Sequence, residues 1–177
     1  MLLRKARNFA RQPAFVRAWF LPTWLLLGLS RALVLVVPFR RFAPWMGEAA
    51  GVASRVPLLD AEEEARALLV GKVVLLAAAH SPWEANCFAT ALAARALLGL
   101  HRIPYALHMG VAKDAADGGL MKAHAWVVAG RVRVTGGEGF DRYVVVGCFV
   151  GPATPPPPSA PASPAPGRSP SSTAPAP

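Results

Sequence analysis

The spacing of apolar residues along this chain changes once, at Pro104. Before it they recur every three or four positions, as Leu92, Ala96 and Leu100 do; after it they alternate, as Tyr105, Leu107, Met109 and Val111 do. The first spacing lines one face of a helix and the second lines one face of a strand. A chain that switches once sets helices before strands, which predicts an α+β domain. At 177 residues and 54% hydrophobic content there is material for one such core.

The longest apolar stretch, AWFLPTWLLLGLSRALVLVVPF from Ala18 to Phe39, is long enough to cross a bilayer. Pro22 interrupts it, and Arg31 sits inside it, where a charge costs about 2.5 to 3.5 kcal/mol on insertion scales. The expectation is therefore one or two helices over roughly 13–36, packed onto the domain and stopped by Pro38. Basic flanks and tryptophans also suit a helix lying at a membrane surface. A second helix is expected over about 60–78, where DAEEEAR places acids at the start and apolar residues follow.

The net charge of +9 concentrates near the beginning, in Arg4, Lys5, Arg7, Arg11 and Arg17, with Arg40 and Arg41 after the apolar run. A basic start suits anionic membranes or acidic peptides. Nucleic acid is not an expected partner, because no recognised binding module or aromatic-interleaved basic stripe is present. Two cysteines are too few for a disulfide framework, and no small-residue cleavage site follows a clean apolar region, so the expected compartment is the cytoplasm, with the inner face of the membrane as a further location. Eleven of the 18 prolines fall between Pro152 and Pro177, among Ala, Ser and Thr. The expected organisation is a basic and apolar helical region over 1–57, a core over 58–151 and a disordered tail over 152–177.

Chemistry enters with SPWEANCFATALAARALLGLHRIP, a cysteine between capping residues and a helical pattern. Ser81 with Glu84 would form a capping box; Asn86 as cap would instead make Cys87 the first helical residue. In the second arrangement the helix N-terminus favours the thiolate, the form that attacks carbon. A buried, inert thiol is the alternative unless a base lies nearby.

The strand region offers that base. AHAWVV, a turn at Ala129 and Gly130, and RVRVT read as a hairpin with His124, Trp126 and Val128 on one face. That turn would pair Val128 with Arg131, Trp126 with Arg133 and His124 with Thr135, making Thr135 the residue expected to orient His124. A last strand, Tyr143 to Val150, would complete a small antiparallel sheet with Cys148 buried in it. His80, His101 and His108 show no metal-ligand spacing, and no bound cofactor is expected.

The segments PWEANCFATALAARALLGLHRIP, GVAKD and KAHAWVVAGRVRVTGG resemble the transglutaminase-like cysteine peptidases of lasso-peptide maturation, over about Pro38 to Phe149. The resemblance implies a papain-like core with Cys87 as nucleophile and His124 as base, in a stand-alone peptidase that removes the leader from a precursor peptide. It also implies two partners, a separate leader-recognition protein and an asparagine-synthetase-like cyclase that uses ATP. Such triads usually end in an aspartate a dozen residues after the histidine, whereas here Thr135 or Gly136 stands at that place. Thr135 is expected to take the role by hairpin register, with Glu138 and Asp141 as alternatives from the loop. Backbone amides at the start of the cysteine helix, together with Trp83, are expected to hold the oxyanion.

Overall fold

The computed structural model describes residues 7–114, 119–137 and 139–152. The Pro-rich tail, apart from Pro152, and Glu138 lie outside the described residues.

Helix α1 spans Ala14–Val36 and runs through Pro22. Pro22 donates no N–H, so it leaves the Ala18 carbonyl without its helical partner. The tertiary packing of both ends keeps the helix continuous all the same, where the sequence suggested an interruption. One α-helical turn, Phe39–Phe42, and one 3-10 turn, Ala43–Met46, follow Pro38.

Helix α2, Ala61–Ala78, begins at a complete capping box: Asp60 accepts from the Glu63 amide and Glu63 accepts from the Asp60 amide. The reciprocal pair satisfies two amide donors that a helix start otherwise leaves open. Helix α3, Cys87–Leu100, is capped by Asn86, whose side chain accepts from the Ala89 amide at 2.9 Å. Ser81 instead donates to the Ala78 and Trp83 carbonyls and starts no helix.

Among the described residues five antiparallel strands form one sheet: β1 Glu48–Gly51, β2 Tyr105–Asp114, β3 Leu120–Ala129, β4 Val132–Thr135 and β5 Val144–Gly151, in the order β1-β5-β2-β3-β4. The α+β arrangement expected from the sequence is thus present, with one addition. Strand β1 comes from the region expected to be wholly helical, pairing Glu48 with Val150. Its sequence, EAAG, has neither alternation nor β-branched residues, so nothing local announces it; it is held by the edge of β5. The described part of the 1–57 region, residues 7–57, contributes side chains to the main core. Val16, Phe42 and Met46 are buried in the same cluster as Val70, Leu97 and Leu107, and Tyr105 donates its phenol proton to the Met46 carbonyl at 3.0 Å.

The helices cover one face of the sheet. Leu107, Ala125 and Val127 meet them there, while Ala106, Trp126 and Cys148 form a second buried cluster on the opposite face. Gly71 of α2 lets the helix approach β4 closely, since a Cβ there would stand 2.9 Å from the Val134 carbonyl oxygen. The β3–β4 turn is tied to α2 by Glu64, whose Oε1 accepts from the Arg131 amide at 3.0 Å and from Arg131 Nε at 3.1 Å. Those two hydrogen bonds, the amide first, hold the Glu64 carboxyl below the ordinary carboxylate range.

The hairpin register differs from the sequence expectation. Ala129 pairs with Val132, so the two loop residues are Gly130 and Arg131, with Gly130 at φ +57°. Glycine first in a two-residue loop is the arrangement a tight hairpin favours, and Ala129 at that position would not supply the positive φ. An irregularity between Val127 and Val128 then brings Thr135 opposite Val127 rather than His124.

Candidate active site

Cys87 is the first residue of α3, and its placement follows from the Asn86 cap. The cap carbonyl accepts the first helical bond, from Thr90 N at 3.0 Å, and Thr90 Oγ1 donates to the same oxygen at 2.8 Å. A thiol so placed lies at the positive end of the helix dipole beside amides that need no helical partner. Cys87 is half-buried, whereas Cys148 is buried in the cluster behind the sheet, and both are free thiols.

A cleft of about 300 Å³ opens beside Cys87, and His124 lines it too. Its walls are apolar: Phe39 from the turn after α1, Phe88 from α3, Met109 from β2 and Val146 from β5. The two residues singled out by sequence therefore meet at one cleft, formed by the start of α3 and the strand pair β2–β3.

They reach it differently. His124 alternates onto the strand face of Trp126, opposite the face that receives α3; its ring stacks on Trp126 at 5.9 Å and lies 5.0 Å from the Tyr143 ring. Its strand partner, Gly110, has no side chain to screen it from the cleft. Among the described residues no hydrogen bond joins Cys87 to His124. The Nε2 atom instead lies 2.9 Å from the Gly136 carbonyl oxygen. A carbonyl only accepts, so Nε2 carries a proton, and the tautomer of the neutral ring that fits this bond has its lone pair on Nδ1. Gly136 thus fixes the tautomer, leaving one basic nitrogen.

The expected orienting residue, Thr135, does not hold this position. It is 3% exposed, and its Oγ1 finds no hydrogen-bond partner among the described residues. The register shift and the strand irregularity bring the carbonyl of the next residue, not the threonine hydroxyl, to the imidazole. Gly136 adopts φ +102°, a backbone region that side-chain-bearing residues rarely enter. The Gly136–Gly137 pair directly after the strand is the sequence signal for such a turn. Asp141 is exposed and lines a different pocket, with His108, Trp126 and Tyr143. Glu138, as noted, is outside the described residues.

Trp83 also departs from its expected oxyanion role. Its ring lies 4.5 Å from that of Trp24 and against Gly28, packed on Leu27 and Ala93 rather than on the cleft. The turn closed by Ser81 directs the indole under α1. Among the described residues no group of three His, Cys, Asp or Glu side chains comes together as a metal set.

The sequence profile of the transglutaminase-like superfamily matches residues 33–148. Comparison with the curated proteins and with the solved structures gives no match. The matched span runs from the end of α1 into β5, so it takes in Cys87, His124, strands β1 to β4 and the first part of β5. This chain belongs to the transglutaminase-like superfamily, which includes Cys-His peptidases and transglutaminases.

Proposed function

We propose that this protein is a cysteine peptidase that removes the leader from a lasso-peptide precursor, with Cys87 as nucleophile and His124 as base. The observation that carries the proposal is the shared cleft: a thiol at the first position of a capped helix and an imidazole of fixed tautomer line one apolar cavity. The leader-peptide assignment rests on the sequence resemblance of the cysteine, GVAKD and AHAW segments.

In this reading the Cys87 thiolate attacks the carbonyl at the leader–core junction. The oxyanion formed is met by the amides of Cys87 and Phe88 at the start of α3. His124, protonated on Nδ1 after taking the thiol proton, returns it to the departing amine, leaving an acyl-enzyme thioester. Water, deprotonated by the same nitrogen, releases the leader. The freed amine is the group that a cyclase then joins to an acidic side chain, so cleavage precedes ring formation. The partners in this reading are the precursor peptide, a leader-recognition protein and the ATP-using cyclase.

A second reading, an inactive scaffold in the same maturation complex, is favoured by one observation: Cys87 and His124 share a cleft without a hydrogen bond, and a carbonyl rather than a carboxylate meets Nε2. Catalytic hydrogen bonds often tighten only around bound substrate. The deciding experiment mixes the chain with precursor and recognition protein and follows leader release by mass spectrometry. Release lost in Cys87→Ala and His124→Ala, with both variants folded, supports the peptidase. Release unchanged in Cys87→Ala refutes it, and no release by any form supports the scaffold.

A further inference from the structure

Helix α1 has two unlike sides. Val16, Thr23, Leu27 and Ser30 are buried, at spacings that keep them on one face, and this face packs on α2 and α3. The other side exposes Ala18, Leu21, Leu25, Leu29, Ala32 and Leu35, with Leu21, Leu25 and Leu29 at 61%, 58% and 67% exposure. At 1.5 Å per residue the stripe is about 25 Å long. The one charge between Arg17 and Arg40, Arg31, does not break it, because its guanidinium is turned toward Glu84 at 3.3 Å.

Both ends of the stripe are basic. Arg7, Arg11 and Arg17 are exposed before or at its start, and Arg40 and Arg41 after its end, with Trp45 65% exposed nearby. No Asp or Glu occurs before Glu48. An apolar face this continuous is unusual on a chain that meets only water.

We propose that α1 lies flat on an anionic lipid surface, with its leucines in the headgroup and acyl boundary and its terminal arginines on lipid phosphates. Two alternatives are disfavoured by charge. A second copy seated on the stripe would bring arginines against arginines in either orientation, since both ends are basic. Crossing the bilayer would either strip the buried face of α1 or draw α2, with Glu62, Glu63, Glu64 and Lys72, toward hydrocarbon. A leaflet-bound α1 sits beside the candidate active site, because Phe39 lines the Cys87 cleft. The proposal does not depend on the peptidase reading.

The test is cosedimentation of the full chain with vesicles of phosphatidylcholine alone and of phosphatidylcholine mixed with phosphatidylglycerol. The mixed vesicles should retain the chain at least about tenfold better, and added salt should weaken that binding. The variant carrying Leu21→Glu, Leu25→Glu and Leu29→Glu changes exposed positions only and should lose it. Arg40→Ala with Arg41→Ala, which leaves the stripe intact, should weaken it by about 30-fold. Equal retention by both vesicle types, or by neither, overturns the proposal. So does a lipid-free dimer that the triple variant dissociates, which would assign the face to a second copy. Binding that resists alkaline carbonate would overturn it in favour of a spanning helix.

Discussion

Two histidines stack on the indole of Trp126, and their circumstances are opposite. His108, on β2, lies 5.3 Å from the indole and nearly parallel to it; it is 1% exposed, with Nε2 3.0 Å from Ser54 Oγ and Nδ1 sealed without a partner among the described residues. His124, on β3, is half-buried at the cleft that holds a thiol. Burial pushes the His108 imidazole below its ordinary pKa. Residue type and stacking partner are shared; what separates them is whether the free nitrogen can exchange a proton with anything. The His108 Nδ1 is sealed although its ring borders the pocket that Asp141 lines, whereas the His124 ring opens onto the thiol cleft, where a basic nitrogen can serve proton transfer.

The comparison is broken most directly by removing each ring in turn. In the proposed peptidase, His124→Ala should lower kcat/KM for leader release by about 10²- to 10⁴-fold, the usual worth of a general base, while the melting temperature stays near that of the parent. His108→Ala should do the reverse, costing about 2 to 4 kcal/mol in urea unfolding as a buried ring becomes a cavity, with the folded fraction still active. A stable but inactive His108→Ala would exchange the two roles.

Gly136→Ala tests what holds His124. A Cβ at Gly136 would stand 2.2 Å from Trp126 Cβ, and the residue's φ of +102° already disfavours it. The backbone must shift, taking its carbonyl from the imidazole. Stability should fall by about 2 kcal/mol, and kcat should fall more than KM rises, since the base rather than the binding surface is disturbed. Parent-like kcat in this variant would show that the Gly136 carbonyl does not position the ring.

Much of this arrangement was legible in the sequence. The period change at Pro104 implied helices before strands, the DAEEE start marked α2, and Asn86 was one of two candidate caps, the one that makes Cys87 the first helical residue. What was not legible depended on long-range contacts. EAAG becomes a strand only because β5 offers an edge, Trp83 faces inward only because α1 covers it, and the residue opposite His124 was set by one loop position and one extra residue in β4. Two-residue loops fix register so tightly that placing the turn at Ala129–Gly130 rather than Gly130–Arg131 changed the partner of every residue in the hairpin.

Acid sharpens the contrast between the two histidines further. The folded His108 has a pKa below that of the unfolded chain, about 6.5. Above that value both states are neutral there and its full contribution is present. As pH falls below it, the unfolded chain binds a proton that the buried ring refuses, so stability declines until pH passes the folded pKa. Urea midpoints at about pH 7 and about pH 5 should differ less in His108→Gln than in the parent. An equal decline in both would place the acid sensitivity elsewhere.

The smallest expected effect discriminates between Thr135 and Gly136 most cleanly. Thr135→Val keeps the β-branched shape beside Val127 and removes a buried hydroxyl that has no partner among the described residues. A buried unsatisfied polar group is costly, so the variant should gain about 1 kcal/mol in urea unfolding. Leader release should be unchanged, because the hydroxyl does not meet the imidazole. If Thr135 did orient His124, the same substitution would lower kcat and shift the pH profile of kcat/KM while still leaving the chain folded. The two assignments therefore predict different variants, one more stable and fully active, the other folded but with lowered kcat, and one variant measured both ways separates them.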